Sequence, residues 1–429
     1  MASLRAQSRV PPGARIAGYG TTSFLRLTAI HHPAAKCYIM NPSRPNIDIE
    51  KTVHKRYSTA AIETQTALCC PVEYDDQYLE ILPKELIDRD YGCGDPSKYV
   101  RPGETVLDLG SGGGKICYIA SQIVGPEGRV VGVDQNDEML SLARRFQNEV
   151  GERIGWHNTE FYKGHIQDLA LDLERFEAYL ADNPVLNSSD WARAESWAHE
   201  QRQANAMIGN HSIDVVVSNC VLNLVRPESR RQLFTELFRV LKCGGRAVIS
   251  DIVSDEPVPD HLQNDPNLWS GCISGAFIEH DFLRAFEDAG FCGLEIVGRQ
   301  AEAWAKIEGI EFRSMTVQAF KIDEGPCLDL HQAVIYNGPW KSVSNDDGCT
   351  LRRGERTSVC GKTFDAYSQN PYREQLTLVP PIHSVSEEEA EVFDCQDHQL
   401  RDPRVTKGNA SSLNILPEDG CCSTDGDCC

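Results

Sequence analysis

The stretch Thr105-Val-Leu-Asp-Leu-Gly-Ser-Gly-Gly-Gly114 sets an acidic residue, Asp108, inside an apolar run directly ahead of a glycine-rich turn. A short apolar run bounded by glycine reads as a buried strand. Glycine there lets the backbone take positive φ and come close to a ligand, while the helix that follows offers its unpaired N–H groups. Such a strand, turn and helix open a doubly wound α/β sheet that binds a nucleoside-bearing cofactor. The nicotinamide-binding form reads G-x-G-x-x-G after a wholly apolar strand, which would leave Asp108 buried to no purpose. A P-loop is excluded by spacing: Gly110 to Gly114-Lys115 is one residue short, and Ile116 stands where Ser or Thr must bind magnesium. A positively charged ligand gives the carboxylate its reason. S-adenosylmethionine carries an amino group and a sulfonium, and Asp108 can accept a charge-assisted hydrogen bond from that amine.

The following elements fall where this sheet needs them. Residues 114–124 read as a helix, Gly125-Pro-Glu-Gly128 as a turn, and Arg129-Val-Val-Gly-Val-Asp134 as a second buried strand ending in an acid. Asp134 lies about 24 residues past Gly110, near the interval of roughly 20 at which an acid reaches the ribose hydroxyls. Residues 160–163 form a third strand, and 171–209, rich in Ala, Glu, Arg and Trp at helical spacing, a helical insertion. Ser212-Ile-Asp-Val-Val-Val-Ser218 is the fourth strand, 230–241 an amphipathic helix stopped by Gly244-Gly245, and 246–251 the fifth strand. Two further apolar runs, 293–297 and 315–322, close the sheet as a final pair, for seven strands.

At 429 residues and 41% hydrophobic content the chain can bury a large core, and its net charge of −21 excludes a nucleic-acid groove, which needs basic stripes. No apolar run approaches the roughly 18 residues that span a bilayer, so a soluble protein with no membrane partner is expected. Residues 1–47 hold Arg5, Arg9, Arg15, Arg26, Lys36 and Arg44 and no acid. That composition fits an organelle transit peptide and equally an ordinary disordered extension. The expected location is the cytoplasm, or a mitochondrion or plastid if the segment is a transit peptide. Residues 48–323 form the main domain. Residues 324–379 read as a small β-rich appendage, with Ala333-Val-Ile-Tyr-Asn-Gly-Pro-Trp-Lys341 and Ser358-Val-Cys-Gly-Lys-Thr-Phe364 alternating like strands and turns at Asn337-Gly338 and Asp347-Gly348. Residues 380–429, with Ser386-Glu-Glu-Glu-Ala-Glu391, read as a mobile tail.

Seventeen cysteines require an account. They lack the C-x-x-C pairs of a zinc ribbon, and no signal peptide supports a secreted disulfide framework. Cys220 follows the fourth strand, at the sheet edge where open α/β folds bind ligands. Cys272 follows the fifth strand in Trp-Ser-Gly-Cys-Ile-Ser-Gly275, and Cys93 sits between two glycines in Tyr-Gly-Cys-Gly-Asp95, ahead of the first strand. These segments can converge over a bound methyl group. The plainer reading of each is a small buried hydrophobe, which also serves for Cys117 on the first helix and Cys243 at a helix end. The pairs Cys421-Cys422 and Cys428-Cys429 either exchange electrons or metalloid with the site or are simple exposed thiols.

Tyr91-Gly-Cys-Gly94, Val106-Leu-Asp-Leu-Gly-Ser-Gly112, Asp214-Val-Val-Val-Ser-Asn-Cys-Val-Leu-Asn-Leu224, Ser250-Asp251 and Trp269-Ser-Gly-Cys-Ile-Ser-Gly-Ala276 together resemble the arsenite methyltransferase family. The resemblance covers about residues 69–321. Asp90-Tyr-Gly-Cys-Gly-Asp-Pro96, Cys69-Cys70 and the appendage resemble most the branch associated with arsenosugar-forming pathways. It implies a class I S-adenosylmethionine-dependent fold and, as substrates, arsenite and methylated trivalent arsenicals. By the same resemblance Cys220 and Cys272 hold arsenic, a soft, thiophilic centre, and Cys93 adds a third thiolate or acts as reductant. The arsenic lone pair then attacks the methyl carbon with no proton to remove, so His165 has no base role, and most of the rate comes from alignment at about 3 Å. Two electrons must return to arsenic before a second methyl is added. Cys93 with Cys69 or Cys70 is the implied disulfide-forming pair, recycled by glutathione or thioredoxin.

For the cofactor the resemblance implies Asp108, Gly110 and Gly112 at the methionine portion, Tyr91 near the same end, and Asp134 at the ribose. Gln135 and Asn136 flank the adenosine, and Ile166 and Gln167 bracket the adenine, although the family carries an acid where this chain has Gln167. Two alternatives stay open on sequence: a methyltransferase of an organic acceptor such as a quinone or sterol carbon, which shares every cofactor motif, and a cysteine-rich protein that sequesters metalloid or zinc.

Overall fold

Five parallel strands follow the apolar runs: β1 (Thr105–Leu109), β2 (Arg129–Asp134), β3 (Thr159–Lys163), β4 (Ile213–Asn219) and β5 (Leu241–Ser254). The computed structural model describes residues 48–65, 72–89, 91–322, 325–345, 348–369, 372–395 and 399–408. Successive side chains on a strand point to opposite faces, and the core divides accordingly. Leu107, Leu109, Val131, Val133 and Val216 pack on one side against Leu233, Phe234, Leu237, Phe282 and Phe286, from helices Pro227–Val240 and Glu279–Glu287. Val106, Val130, Val215 and Val217 pack on the other against Ile116, Ile119, Leu140 and Ala143, from helices Lys115–Val124 and Asp137–Ile154. Each large aliphatic side chain so enclosed contributes about 1.5–3 kcal/mol over leaving it in water.

The sheet order is β3-β2-β1-β4-β5, followed by Ile310–Phe320 and then Cys292–Arg299, both antiparallel to their neighbours. These are the seven strands of a class I methyltransferase. Short strands Phe277–Ile278 and Ala305–Ile307 pair with the ends of β5 and of Ile310–Phe320. The last long strand begins at Ile310, five residues ahead of its apolar run. Pairing of β5 starts at Leu241 opposite Ile213, slips at Gly244-Gly245, and resumes with Arg246 opposite Val215. The insertion is two helices, Leu173–Asp182 and Ser188–Ala204, where Trp197 stacks on Tyr179 at 4.6 Å between ring centres.

A helix not foreseen in the sequence, α1 (Ile49–Ala60), starts at Asp48, whose side chain accepts from the Lys51 amide. Ile49 and Val53 pack on Trp269, and Ala60 packs on Met139. Ionic and polar contacts fix both flanks: Arg226 pairs with Glu50, Arg56 donates to Asn267 O at 2.7 Å, and Asn136 donates to Ser58 Oγ at 2.9 Å. Thus α1 lies across the C-terminal ends of the parallel strands.

Past the main sheet, Arg356–Ser358, Ala333–Tyr336 and Leu376–Val379 make an antiparallel three-stranded sheet beside the hairpin Ser342–Ser344 with Thr350–Arg352. The expected strand at 358–364 is instead a strand end followed by the helix Gly361–Tyr367, because the Cys360 side chain caps the Thr363 amide and turns the chain. The expected tail also begins too early. Glu391–Val392 pairs with Leu328–Asp329, and Arg401 makes a two-pronged ion pair with Asp329 at 2.9 and 2.5 Å, so 380–395 and 399–408 belong to the appendage. The acid-rich composition hid these partners because they are distant in sequence.

Candidate functional site

The strands of the main sheet end in a cleft of about 1090 Å³, measured out to its mouth, beneath α1. Tyr91, Asp108, Gly110, Gly112, Asp134, Gln135, Asn136, Ile166 and Gln167, the nine residues predicted for a cofactor, all line it. Asp108 is 2% exposed, one residue before the end of β1. Cys117, read from sequence as packing, donates its Sγ proton to Asp108 Oδ2 at 3.3 Å and so contributes to this floor. Asp134 accepts from the Gly112 amide at 2.9 Å and the Asn136 amide at 2.8 Å, which locks the glycine turn to the end of β2. Burial raises the Asp134 pKa against the pull of those amides. The Gln135 amide also bonds to this carboxylate, so three of its four lone pairs are taken and one is left for a ligand. Asn136 is committed on both sides, capping the Met139 amide and donating to Ser58. The Tyr91 hydroxyl donates to Ala60 O and accepts from the Gln65 amide, each at 3.0 Å, with its ring edge-on to Tyr57.

Cys220 lines the inner end of the same cleft, and Cys93 and Cys272 lie buried behind it in one cluster. Cys93 Sγ, Cys220 Sγ and an Asp251 carboxylate oxygen are all within 4.8 Å of one another. Cys272 Sγ donates to Cys220 O at 3.1 Å, and the two thiols lie close enough to shift each other's pKa. Both Cys220 and Cys272 are left-handed, at φ 65° and 61°. A non-glycine residue held there costs of order 1–3 kcal/mol and persists only where its surroundings enforce it. The enforcement comes from Asp251, fully buried in the C-terminal half of β5. It accepts from the Leu222 amide at 2.9 Å, the Ile252 amide at 2.8 Å and Asn223 Nδ2 at 2.8 Å. Asn223 in turn donates to Cys272 O at 3.3 Å, joining the two cysteine loops.

The Cys93 loop reaches the site by close approach. A Cβ on Gly92 would stand 2.2 Å from Asn219 Nδ2, and one on Gly94 2.5 Å from Ser250 Oγ, so only glycine fits on either side of the thiol.

Burial pushes the Asp251 pKa up to about 6 in spite of its amide donors. A hydrogen bond with Cys272 favours the Cys220 thiolate, but the bond with Cys93, burial and the charge of Asp251 outweigh it, and its pKa lies well above the ordinary thiol value. Cys272 is raised likewise, first by its bond with Cys220 and then by burial, while a hydrogen bond from the Tyr57 phenol opposes the rise. The unliganded Cys220 and Cys272 thiols are therefore neutral.

Sequence reasoning missed Tyr57 and gave no role to Asn219 and Asp251 within the motifs that contain them. Ile49, Val53, Tyr57 and Ala60 recur at helical spacing, a signal that could have found α1 and its phenol. The acid in the C-terminal half of β5 repeats the pattern of Asp108 and Asp134. Cys243 is exposed at a second cleft rather than packed. Cys69, Cys70, Cys421, Cys422, Cys428, Cys429 and residues 1–47 lie outside the described residues. Among those described, no helix is long and apolar enough to cross a membrane.

Residues 101–290 match the family model of a methyltransferase domain, and 323–411 that of a domain of unknown function. An arsenite methyltransferase of Aquipseudomonas alcaligenes is 32% identical over 318 residues, spanning 70% of this chain and 82% of the relative. One of Mus musculus is 27% identical over 419 residues, spanning 91% of this chain and 100% of the relative. The arsenic (III) S-adenosylmethionine methyltransferase of Chlamydomonas reinhardtii shares the fold, with a TM-score of 0.51 at 24% identity over 78% of this chain and 100% of that one.

Proposed function

Because this chain belongs to the arsenite methyltransferase family, and so transfers the methyl group of S-adenosylmethionine to trivalent arsenic, we propose that Cys93, Cys220 and Cys272 hold the arsenic and that the cleft from Asp108 to Gln167 holds the cofactor. The observation that carries this reading is the pair of enforced left-handed cysteines, Cys220 lining the inner end of the cleft and Cys272 behind it, in a cleft that also holds the buried Asp108 and the half-buried Asp134.

Soft thiolates are the ligands trivalent arsenic prefers. Three neutral thiols can displace the three hydroxides of arsenous acid, forming three As–S bonds and releasing three waters with no net proton. Raised thiol pKa values are thus no obstacle. Asp251 keeps the Cys220 loop in place through its amide contacts, and the Tyr57 phenol stabilises charge on the Cys272 sulfur.

The residues of the cleft fit S-adenosylmethionine. Asp108 offers a buried carboxylate to an ammonium, and Asp134 offers its remaining lone pair to a ribose hydroxyl. Gln135 and Gln167 supply neutral hydrogen-bonding edges, and Ile166 an apolar face, for adenine. When bound, the cofactor supplies an electrophilic methyl group: the As–C bond forms from the arsenic lone pair, the methyl–sulfonium bond breaks, and arsenic becomes formally pentavalent. No residue needs to accept a proton.

Return to the trivalent state takes two electrons. In our reading the Cys69 or Cys70 thiolate attacks the arsenic-bound Cys93 sulfur, an S–S bond forms, and the As–S electron pair stays on arsenic. Glutathione or thioredoxin then reduces the disulfide by exchange. We place the enzyme in the cytoplasm, with delivery to a mitochondrion or plastid by residues 1–47 as the alternative. A fluorescent reporter fused behind 1–47 separates the two.

The test is incubation of the purified chain with arsenite, S-adenosylmethionine and glutathione, followed by chromatographic separation of the arsenic species with element-specific detection. Methylated arsenic is expected from the wild type and none from Cys220→Ser; a variant that methylates at the wild-type rate overturns the ligand assignment.

A further inference from the structure

The appendage contains a second cysteine cluster that the methylation chemistry does not use. The sulfurs of Cys327, Cys360 and Cys395 all lie within 4.8 Å of one another. We propose that this triad binds a structural zinc ion that staples the appendage together.

The three thiols come from three separate pieces of chain. Cys327 precedes the strand Leu328–Asp329, Cys360 caps the helix Gly361–Tyr367, and Cys395 follows the strand Glu391–Val392. Backbone pairing brings the first and last together: Leu328 faces Val392, and the Phe393 amide donates to Cys327 O at 2.8 Å. Three thiols converging from distant segments supply three of the four ligands of a tetrahedral structural ion, whose fourth position a further protein side chain completes. The Thr363 amide donates to Cys360 Sγ at 3.4 Å, an outer contact of the kind that orients a ligating thiolate and spreads its charge.

The appendage has need of such a staple. Its strands run two to four residues, and its apolar cluster consists of Val334, Tyr336, Cys349, Leu351, Val359, Tyr367 and Leu376. Units with so small a core are commonly held by metals or disulfides. Zinc binding releases one proton from each thiol, three in all, and involves no electron transfer.

The test uses the full chain. Elemental analysis of wild type and of Cys220→Ser/Cys272→Ser, purified without chelator, is expected to find one zinc per chain in both, and Cys327→Ser/Cys395→Ser is expected to lose it. Peptide-resolved alkylation of the unmutated chain guards against a variant that fails to fold. Cys327, Cys360 and Cys395 should be protected together and become reactive together once a chelator removes the metal, at least tenfold faster. A chain that takes up no added zinc, zinc lost with Cys220 and Cys272 instead, arsenic in place of zinc at the triad, or a disulfide between two of its members overturns the proposal.

Discussion

Asn219 holds Cys93: its Oδ1 accepts the Cys93 and Gly94 amides at 2.8 and 3.1 Å, and its Nδ2 donates back to Gly94 O at 2.7 Å. The residue beside Cys220 in sequence therefore places the third thiol. Asn219→Ala leaves buried amides without partners, which costs about 1–3 kcal/mol of stability. Loss of alignment is expected to slow arsenic methylation by roughly tenfold or more. Denaturant unfolding and arsenic speciation read the two effects; a stable, fully active variant would show that the Cys93 loop needs no such tether.

Asp108→Asn keeps the shape of the cleft and removes its buried charge. A hydrogen bond to a charged group is worth about 1.5–3 kcal/mol, so S-adenosylmethionine should bind roughly 10- to 100-fold more weakly. Titration calorimetry measures this, with arsenite affinity as the control that stays unchanged. Undiminished cofactor binding would remove Asp108 from the methionine end.

Tyr57→Phe deletes the phenol that supports the Cys272 sulfur and leaves the edge-on ring contact with Tyr91 in place. Arsenite affinity should fall by about 0.5–1.5 kcal/mol, the range of a single hydrogen bond. Competition against a dithiol reports it, and equal affinities would reduce Tyr57 to packing.

Much of this arrangement was legible in the sequence, and what was not has physical reasons. The strands of the main sheet are buried on both faces, so their hydrophobic runs announce them, and Asp108 and Asp134 are conspicuous as acids inside such runs. Cys93, Cys220 and Cys272 are placed by glycines and strand ends that sequence shows. What holds them is long-range: Asp251 acts through backbone amides some thirty residues upstream, and Asn219 through amides more than a hundred residues away. The appendage was misread at 358–364 because side-chain capping by Cys360 overrides an alternating pattern. Residues 380–408 were misread because Asp329, the partner of Arg401, gives no local signal.

Burial holds the His165 imidazole below its ordinary pKa of 6.5. A group depressed in this way binds fewer protons folded than unfolded, so its stabilising contribution is complete above the ordinary value and is lost as pH falls through the folded one. Wild-type unfolding free energy should therefore decline on acidification below about pH 6.5 more steeply than that of His165→Gln. Parallel curves would contradict this, and methylation should survive the substitution, since no proton is taken in the step.

X-ray absorption at the arsenic edge, on protein carrying half an equivalent of arsenite, tests the central assignment most directly. The wild type should show a shell of three sulfurs, and Cys93→Ser a shell of two sulfurs and one oxygen. An unchanged sulfur shell in Cys93→Ser, or an oxygen-dominated shell in the wild type, would contradict the three-thiol site.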